Sequence, residues 1–569
     1  MEAVKASFLS AEICRGGCIR SDRLSNVLQY LGIRKSDAEA LVLRAPKEAG
    51  DRIKCVDFID WLTGTTAKTG IPIFLQVTVT LLNGVSETFQ VERHEEVLAL
   101  RLQAEAAFGV RIAGLLAGDQ RLDWHASLST IIANSGDTFC AVVGSNPNLK
   151  VCATNRAFAV VKPGGSVVTW GDPWFGGDSR DVRDQLASNV ERVFATDRAF
   201  AALKSDGSIV SWGDWLCGGD SSSVQDQLCG GVHHVCASTL AFAAIKAEGS
   251  VICWGDLDFG DHDSLAKEQL LGSVRVRDVY ATGSAFAAVT SDGSVLTWGD
   301  PVRGGDSSAV REQLRGNVDC IYSTDGAFMA LKGNGSVVAW SDASRGGDVS
   351  AIQEQLSGGI KHVSASDKAF AVIKNHGSVV AWGHPSFGGD MGAARHQLDK
   401  GALTIRSAIR GAFAALSGTG SVVSWGNPAC GGSCELVSKQ VAGDVQNLYS
   451  TDKAFAALKS DGSVVCWGHP RYGGDNNSVR ELLVGGVDHI CSNRAAFAAL
   501  KIDGSVVTWG DPESGGCSES VKDHLLSDVQ QIHSNLHAFL AIKLDGSIVT
   551  WGDRTSGGAA VRELLDLWE

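Results

Sequence analysis

Two cysteine pairs, Cys14 with Cys18 and Cys430 with Cys434, have a Cys-x3-Cys spacing that can begin a zinc site. Neither is followed by a second pair or by a histidine at ligand spacing, so no metal is expected. His233-His234 stands alone at a point where related segments carry Asp, Lys or Gln, and reads as ordinary core or surface histidine. The recurrent Gly-Gly-Asp turns lack the Lys-Ser or Lys-Thr that completes a phosphate-binding loop, and none leads into a long helix. No nucleotide or other cofactor is expected. No Ser, His and Asp set and no Cys and His pair stands out from its background, so the chain reads as a non-enzymatic protein with no catalytic residues.

Two series of side chains remain. Lysine stands four residues after a recurrent Phe at Lys162, Lys204, Lys246, Lys332, Lys374, Lys459, Lys501 and Lys543, with Thr290 and Ser417 in the other two copies. As chemistry this is a cationic track for an acidic partner; as structure it is the polar end of a hairpin strand reaching water, and the second reading is the expectation. The other series varies. Five residues after a recurrent Trp the chain reads Phe175, Cys217, Phe259, Arg303, Arg345, Phe387, Cys430, Tyr472, Ser514 and Ser556. A constant frame that displays a changing side chain at one loop point is how a repeat surface acquires specificity. Aromatic and Arg residues are also the usual anchors of protein interfaces. The first eight of these positions are the candidate partner-binding surface; the plainer alternative is an exposed loop that tolerates change.

The frame behind these residues is a repeat. An Ala-Phe pair recurs with Phe at 158, 200, 242, 286, 328, 370, 413, 455, 497 and 539, spaced 42 to 44 residues apart, and twelve residues after each Phe comes a Trp. Within residues 190–228 three β-rich runs, VERVFAT, AFAALK and SIVSWG, are separated by turn residues. Asp206-Gly207 between the second and third is a hairpin signal. Gly218-Gly219-Asp220-Ser221 breaks the sheet, and Val224 with Leu228 suggests one helical turn. The second and third strands are apolar on both faces, so each small sheet must be covered on both sides, as stacked identical sheets are. The alanines flanking each Phe leave room for a neighbour's rings. Each buried aromatic removes 150 to 250 Å² from water, roughly 4 to 6 kcal/mol gross.

The pattern AFAALKxDGSVVxWG resembles the regulator of chromosome condensation repeat, and its short three-stranded unit is similar to that of the propeller-type β-lactamase inhibitor proteins. The resemblance covers residues 148–565 and implies a β-propeller that binds at its rim or face. The fold class is therefore mainly β: a β-propeller-like array of ten three-stranded repeats. Those families close with seven blades, whereas ten units are countable here and the first and last both look whole. An oversized ring, a seven-plus-three arrangement and an open spiral all fit.

Two further regions precede the array. Residues 72–145 show two strands, a helical stretch EEVLALRLQAEAAFG with apolar spacing at Val97, Leu98, Leu100, Leu102 and Ala106, then more strands. This α+β order resembles the ubiquitin-like β-grasp, particularly in GLLAGDQRLDWHASLSTIIANSGDTFCAVV. The chain runs on through Gly144-Ser145-Asn146 rather than ending at a free Gly-Gly, so the resemblance implies an embedded docking domain. Residues 1–68 read as a small helical segment. There Ile53, Asp57 and Phe58 resemble the second half of an EF-hand loop, and Ile19 to Leu24 echo it. The first ligand positions would be Pro46, Glu48 and Gly50, of which only Glu48 offers a side-chain oxygen, so no calcium binding is expected. A degenerate EF-hand-like pair kept for packing is expected.

Composition sets the outer bounds. The 569 residues carry a formal charge of -14 with no run of Lys and Arg, which argues against nucleic acid and anionic membrane as partners. There is no apolar stretch of eighteen residues, and the N-terminus is not patterned as a secretory signal. Fifteen cysteines, many at equivalent points of different repeats, read as reduced core residues in a cytoplasmic or nuclear protein. The function expected is a protein–protein interaction scaffold. Resemblance implies two alternatives, guanine-nucleotide exchange on a small GTPase and an accessory part in ubiquitin ligation. The even repeats lack the inserted loops of the first, and the eleven residues after Gly558 leave no room for a HECT domain.

Overall fold

The computed structural model describes residues 18–20, 52–54, 74–81, 85–92, 95–108, 112–117, 120–122, 126, 128–131, 137–143, 149–256, 274–357, 359–398 and 401–558. The chain divides into two compact units, Met1–Ser145 and Asn146–Glu569. Among the described residues no helix is long and apolar enough to cross a membrane.

In the first unit two short strands, β1 (Cys18–Arg20) and β2 (Arg52–Lys54), pair antiparallel with Ile19 opposite Ile53. The helices expected around them lie outside the described residues. Next come β3 (Phe74–Leu81), β4 (Ser86–Glu92), α1 (Val97–Phe108), β5 (Ile112–Ala117), β6 (Gln120–Arg121), α2 (Leu128–Ile131) and β7 (Thr138–Val143). They form one five-stranded sheet in the order β4-β3-β7-β5-β6, with β3 and β7 parallel at its centre. Val77, Val79, Leu100, Ala104, Leu115 and Phe139 fill its core. Helix α1 buries Val97, Leu100, Arg101 and Ala104, the stripe that 3.6 residues per turn requires. Ala106 is exposed and Leu102 half-buried, which corrects the expected apolar face.

The second unit is ten three-stranded antiparallel sheets, each a simple meander in chain order. We number these blades 1 to 10 by the Phe each carries, from Phe158 to Phe539. Blade 2, for example, is Val190–Ala195, Ala199–Lys204 and Ile209–Gly213. All ten Phe are buried, at 0% exposure, and each stacks on its own blade's Trp, as Phe200 does on Trp212 with ring centroids 5.2 Å apart. The rings of one blade fill the space left by the alanines of the blade before. Ala157 and Ala159 of blade 1 meet Phe200 and Trp212 of blade 2, and Ala496 and Ala498 meet Phe539 and Trp551. Alternating small and large residues across each seam is what close packing of identical sheets demands.

The seam that decides the architecture is the one between blades 10 and 1. Ala538, Leu540 and Ile542 pack on Phe158 and Val160, the same positions that meet at every other seam. The array is therefore a closed ten-bladed propeller, neither a spiral nor a seven-plus-three arrangement. The first strands of neighbouring blades approach one another and surround the central hollow, while each third strand lies outermost. A bare outer edge would invite pairing with another chain. In blades 1, 4 and 7 a helical turn covers it: the Val167 amide donates to the Leu186 carbonyl, Val295 to Leu314 and Val422 to Val441, in the turn that follows the third strand.

Candidate functional site

The meander fixes which side chains meet. Among the described residues, the turn between strands one and two and the loop after strand three lie at one end of each blade; the hairpin between strands two and three lies at the other. The recurrent lysines end strand two and so sit at the hairpin end. There Lys204, Lys246, Lys332 and Lys374 donate their Nζ protons to the carbonyls of Gln185, Gln227, Gln313 and Gln355 at 2.6 to 3.1 Å, closing the end of the preceding helical turn. The expected strand end reaching water thus carries a further structural use, since cations suit the carbonyls at helical C-termini.

The varying residues gather at the opposite end. Their loop is a short 3-10 turn opened by a side-chain cap, such as Asp172 accepting from the Trp174 amide, and closed by a glycine in the left-handed region. Gly218, at φ 90°, is representative: a Cβ there would come within 2.6 Å of the Phe242 ring of the next blade. Its carbonyl accepts from the indole Nε1 of Trp254 at 3.0 Å. The loop is thus pressed onto the neighbouring blade's core. A second bond secures it from inside the ring. A hydroxyl or amide four residues before Phe donates to the carbonyl of the varying residue: Thr154 to Phe175, Thr196 to Cys217, Thr282 to Arg303, Thr324 to Arg345, Ser366 to Phe387, Thr451 to Tyr472, Asn493 to Ser514 and Asn535 to Ser556, at 2.6 to 3.0 Å. This Thr, Ser or Asn was not singled out from the sequence, although its recurrence was there to be seen.

Pressed down in this way, the varying side chains part company by size. Cys217 and Cys430 are buried at 2% and 4% exposure, and Ser514 and Ser556 are buried too. Small side chains point into the seam, which removes Cys217 and Cys430 from the candidate surface. The Cys430 thiol faces the Arg410 carbonyl and Cys434 that of Val422, not each other. Phe259 lies outside the described residues. Phe175, Arg303, Arg345, Phe387 and Tyr472 are half-buried and lie along the mouth of the hollow.

Each of these five is met by a charged group. Arg156 and Arg198 stand 5.4 and 5.0 Å from the centroid of Phe175, Lys368 4.8 Å from Phe387, and Lys453 4.8 Å from Tyr472. Arg303 and Arg345 converge on Asp325, the first at 3.0 Å. Backbone bonds run from turn to turn around the mouth: Asn155 to Asp197, Asp197 to Thr239, Thr239 to Gly283, Gly283 to Asp325, Asp325 to Asp367, and Asp367 to Ile409. They hold a hollow of roughly 770 Å³ bordered by all ten blades. Burial pushes the carboxyls of Asp197, Asp367 and Asp452 above their usual range, against the pull of a nearby arginine on each: Arg198 on Asp197, Arg410 on Asp367 and Asp452. Burial lowers the His537 imidazole, helped by the charges of Arg156 and Arg494. His234 packs edge-on against Phe194 at 5.9 Å and is also lowered by burial. Among the described residues no three His, Cys, Asp or Glu side chains gather in a way that would hold a metal. The mouth is built to present flat aromatic and cationic groups on a rigid frame.

No family model matches the chain, and no curated protein matches it. Solved structures do. The CRINKLY WD40 ectodomain of the Arabidopsis thaliana receptor kinase ACR4 is 14% identical over 48% of this chain and 90% of its own, with a TM-score of 0.26. Prp20p of Saccharomyces cerevisiae, described with its binding to Gsp1p and histones, is 13% identical over 49% of this chain and 82% of its own, with a TM-score of 0.29. The computationally designed protein Ika8 is 12% identical over 72% and 97%, with a TM-score of 0.28. These are distant likenesses of fold, and the propeller assignment stands on the chain's own ten sheets.

Proposed function

We propose that this protein is a non-catalytic interaction scaffold of the cell interior, whose propeller takes a protein partner on the face that carries Phe175, Arg303, Arg345, Phe387 and Tyr472. The observation that supports this most directly is the constant fixing of a varying residue. The same loop, cap glycine and inward hydrogen bond recur, while the displayed group changes between aromatic and Arg. Fixed groups lose little conformational freedom on binding, which is how a rigid surface gains affinity. Exposed Trp174 and Trp215, at 74% and 66%, lie in the loops beside them and are of the type that anchors interfaces. The β-grasp unit is read as a ubiquitin-like docking domain on its strand order, and the Ile19 and Ile53 pairing fits a degenerate EF-hand-like pair kept for packing.

The test compares the full chain with a Phe175→Ala, Phe387→Ala, Tyr472→Ala variant in quantitative affinity capture from cell extract. We expect the variant to lose at least one partner that the parent retains. Identical recovery of every partner would remove the loop face from the reading.

A further inference from the structure

We infer that the arc running from blade 8 round to blade 1 is a pocket for a carboxylate-rich segment of a partner protein, gripped by Arg156, Lys453, Arg471 and Arg494. The inference rests on the scaffold reading and adds the partner's chemistry.

Three residues before Phe, on the inner turn, blades 2, 5, 6 and 8 carry Asp197, Asp325, Asp367 and Asp452, blades 3 and 4 carry Thr239 and Gly283, and blade 7 carries Arg410. Arg410 is already placed between Asp367 and Asp452, at 3.2 and 3.7 Å. Blades 9, 10 and 1 carry Arg494, Leu536 and Asn155, three consecutive blades without acid at that position, in a chain whose net charge is -14. A cavity of roughly 940 Å³ opens at this point, lined by the four cations, by His469 and His537, and by Asp511, Glu513 and Asp553. Part of the charge is already matched. Arg471 reaches Asp511 at 3.3 Å and Glu513 at 3.8 Å, and Arg494 reaches Asp452 at 3.5 Å. Arg156 and Lys453 are different: both are half-buried, both lie over aromatic rings, and neither has a carboxylate within ion-pair distance among the described residues, although the charge of Lys453 is felt by Asp452. A ring face returns only a weak attraction to a cation at a partly wet site. Two partly desolvated charges are thus left with an attraction that an incoming carboxylate can satisfy, and an arginine fork suits that anion.

Two features favour a protein segment over a phosphate chain. The same cavity holds three carboxylates, which repel a continuous polyanion more than a segment whose acidic residues can be spaced between them. Beside the arc, blades 1 and 2 offer Trp174, Trp215 and Leu216, all exposed, to apolar residues flanking the acids.

The experiment is fluorescence anisotropy on the full chain with a fluorescein-labelled twelve-residue peptide of Glu spaced by Gly and Leu. A labelled twelve-nucleotide single-stranded DNA and inorganic polyphosphate are compared at the same salt. We expect the peptide to bind most tightly. An Arg156→Gln, Lys453→Gln variant should weaken it at least tenfold, and a Lys204→Gln, Lys332→Gln variant at the hairpin end should leave it unchanged. Arg471→Glu, altering a mostly exposed side chain, must also weaken the peptide, which keeps the test decisive if the double variant is unstable. Equal binding by parent and pocket variants, or tighter binding of DNA or polyphosphate, would overturn the inference. If the pocket variants are silent while the loop-face variant still loses partners, this inference fails and the scaffold reading stands.

Discussion

Thr324→Val puts the frame itself to a quantitative test. The Thr324 hydroxyl accepts from the Ala327 amide at 3.0 Å and donates to the Arg345 carbonyl at 3.0 Å, and the residue is 5% exposed. Valine keeps the shape and removes both partners. A buried polar group left unpaired costs about 1 to 3 kcal/mol. The Ala327 amide is fully enclosed and bears the whole cost; the Arg345 carbonyl is nearer water and bears the lower end. The sum is about 2 to 4 kcal/mol. Thr324→Ser is the control, since it keeps both bonds and loses one methyl, worth about 1 kcal/mol. The assay is urea unfolding followed by tryptophan emission, with amide hydrogen exchange as the local readout. At the Ala327 amide a loss of about 2 kcal/mol corresponds to a fall in protection of roughly thirtyfold. Because the same bond fixes the Arg345 loop, that loop's amides should also exchange faster. If valine and serine variants unfold within 0.5 kcal/mol of each other and Ala327 keeps its protection, the inward hydrogen bond does not hold the mouth together and the account of the site fails.

Two further outcomes follow from the same geometry. Gly346 sits at φ 97°, and a Cβ there would lie 2.7 Å from the Phe370 ring, so Gly346→Ala should cost about 2 to 3 kcal/mol in urea unfolding; an unchanged midpoint would show that the loop does not press on the next blade. Burial raises the Asp197 carboxyl above its unfolded value, so its charged form opposes folding at neutral pH and the penalty fades as pH falls toward the unfolded value. Asp197→Asn should therefore stabilise the protein slightly at pH 7 and less at pH 4, and the opposite order in paired unfolding curves would contradict the assignment.

Much of the propeller was legible because one unit is written ten times. The Phe and Trp spacing, the small alanines and the hairpin glycines each recur, and every one of them finds the place in the seam that its size and conformation suggest. Ring closure was not legible. The seam between blades 10 and 1 uses nearly the same residue types as the others: Ala538 faces Phe158 as Ala157 faces Phe200, and Leu540 stands where most blades have a second Ala. Whether such blades close depends on a small rotation per blade that no single residue encodes. The surface was half legible. Variation five residues after Trp marked the right loop, but Cys217 and Cys430 are buried because that loop is folded onto the neighbouring Phe, so its side-chain direction follows from the tertiary contact.

What the sequence carried unnoticed is a pairing. The aromatic loop residues Phe175, Phe387 and Tyr472 each follow, nineteen residues after it, a basic residue two before Phe: Arg156, Lys368 and Lys453. Those are the pairs in which a cation lies over a ring. Blades 4 and 5, which place Arg303 and Arg345 in the loop, have Ser284 and Gly326 at the basic position and share the carboxylate of Asp325. Charge at the mouth is therefore set by two positions acting together. A ring or a carboxylate is supplied wherever a cation is placed, and the cation is held flat against it. Solvent alone gives no reason for such matching, because an exposed Lys or Arg is well hydrated and gains little from a surface partner. A mouth that must keep its cations in fixed places, ready for another molecule, does give one.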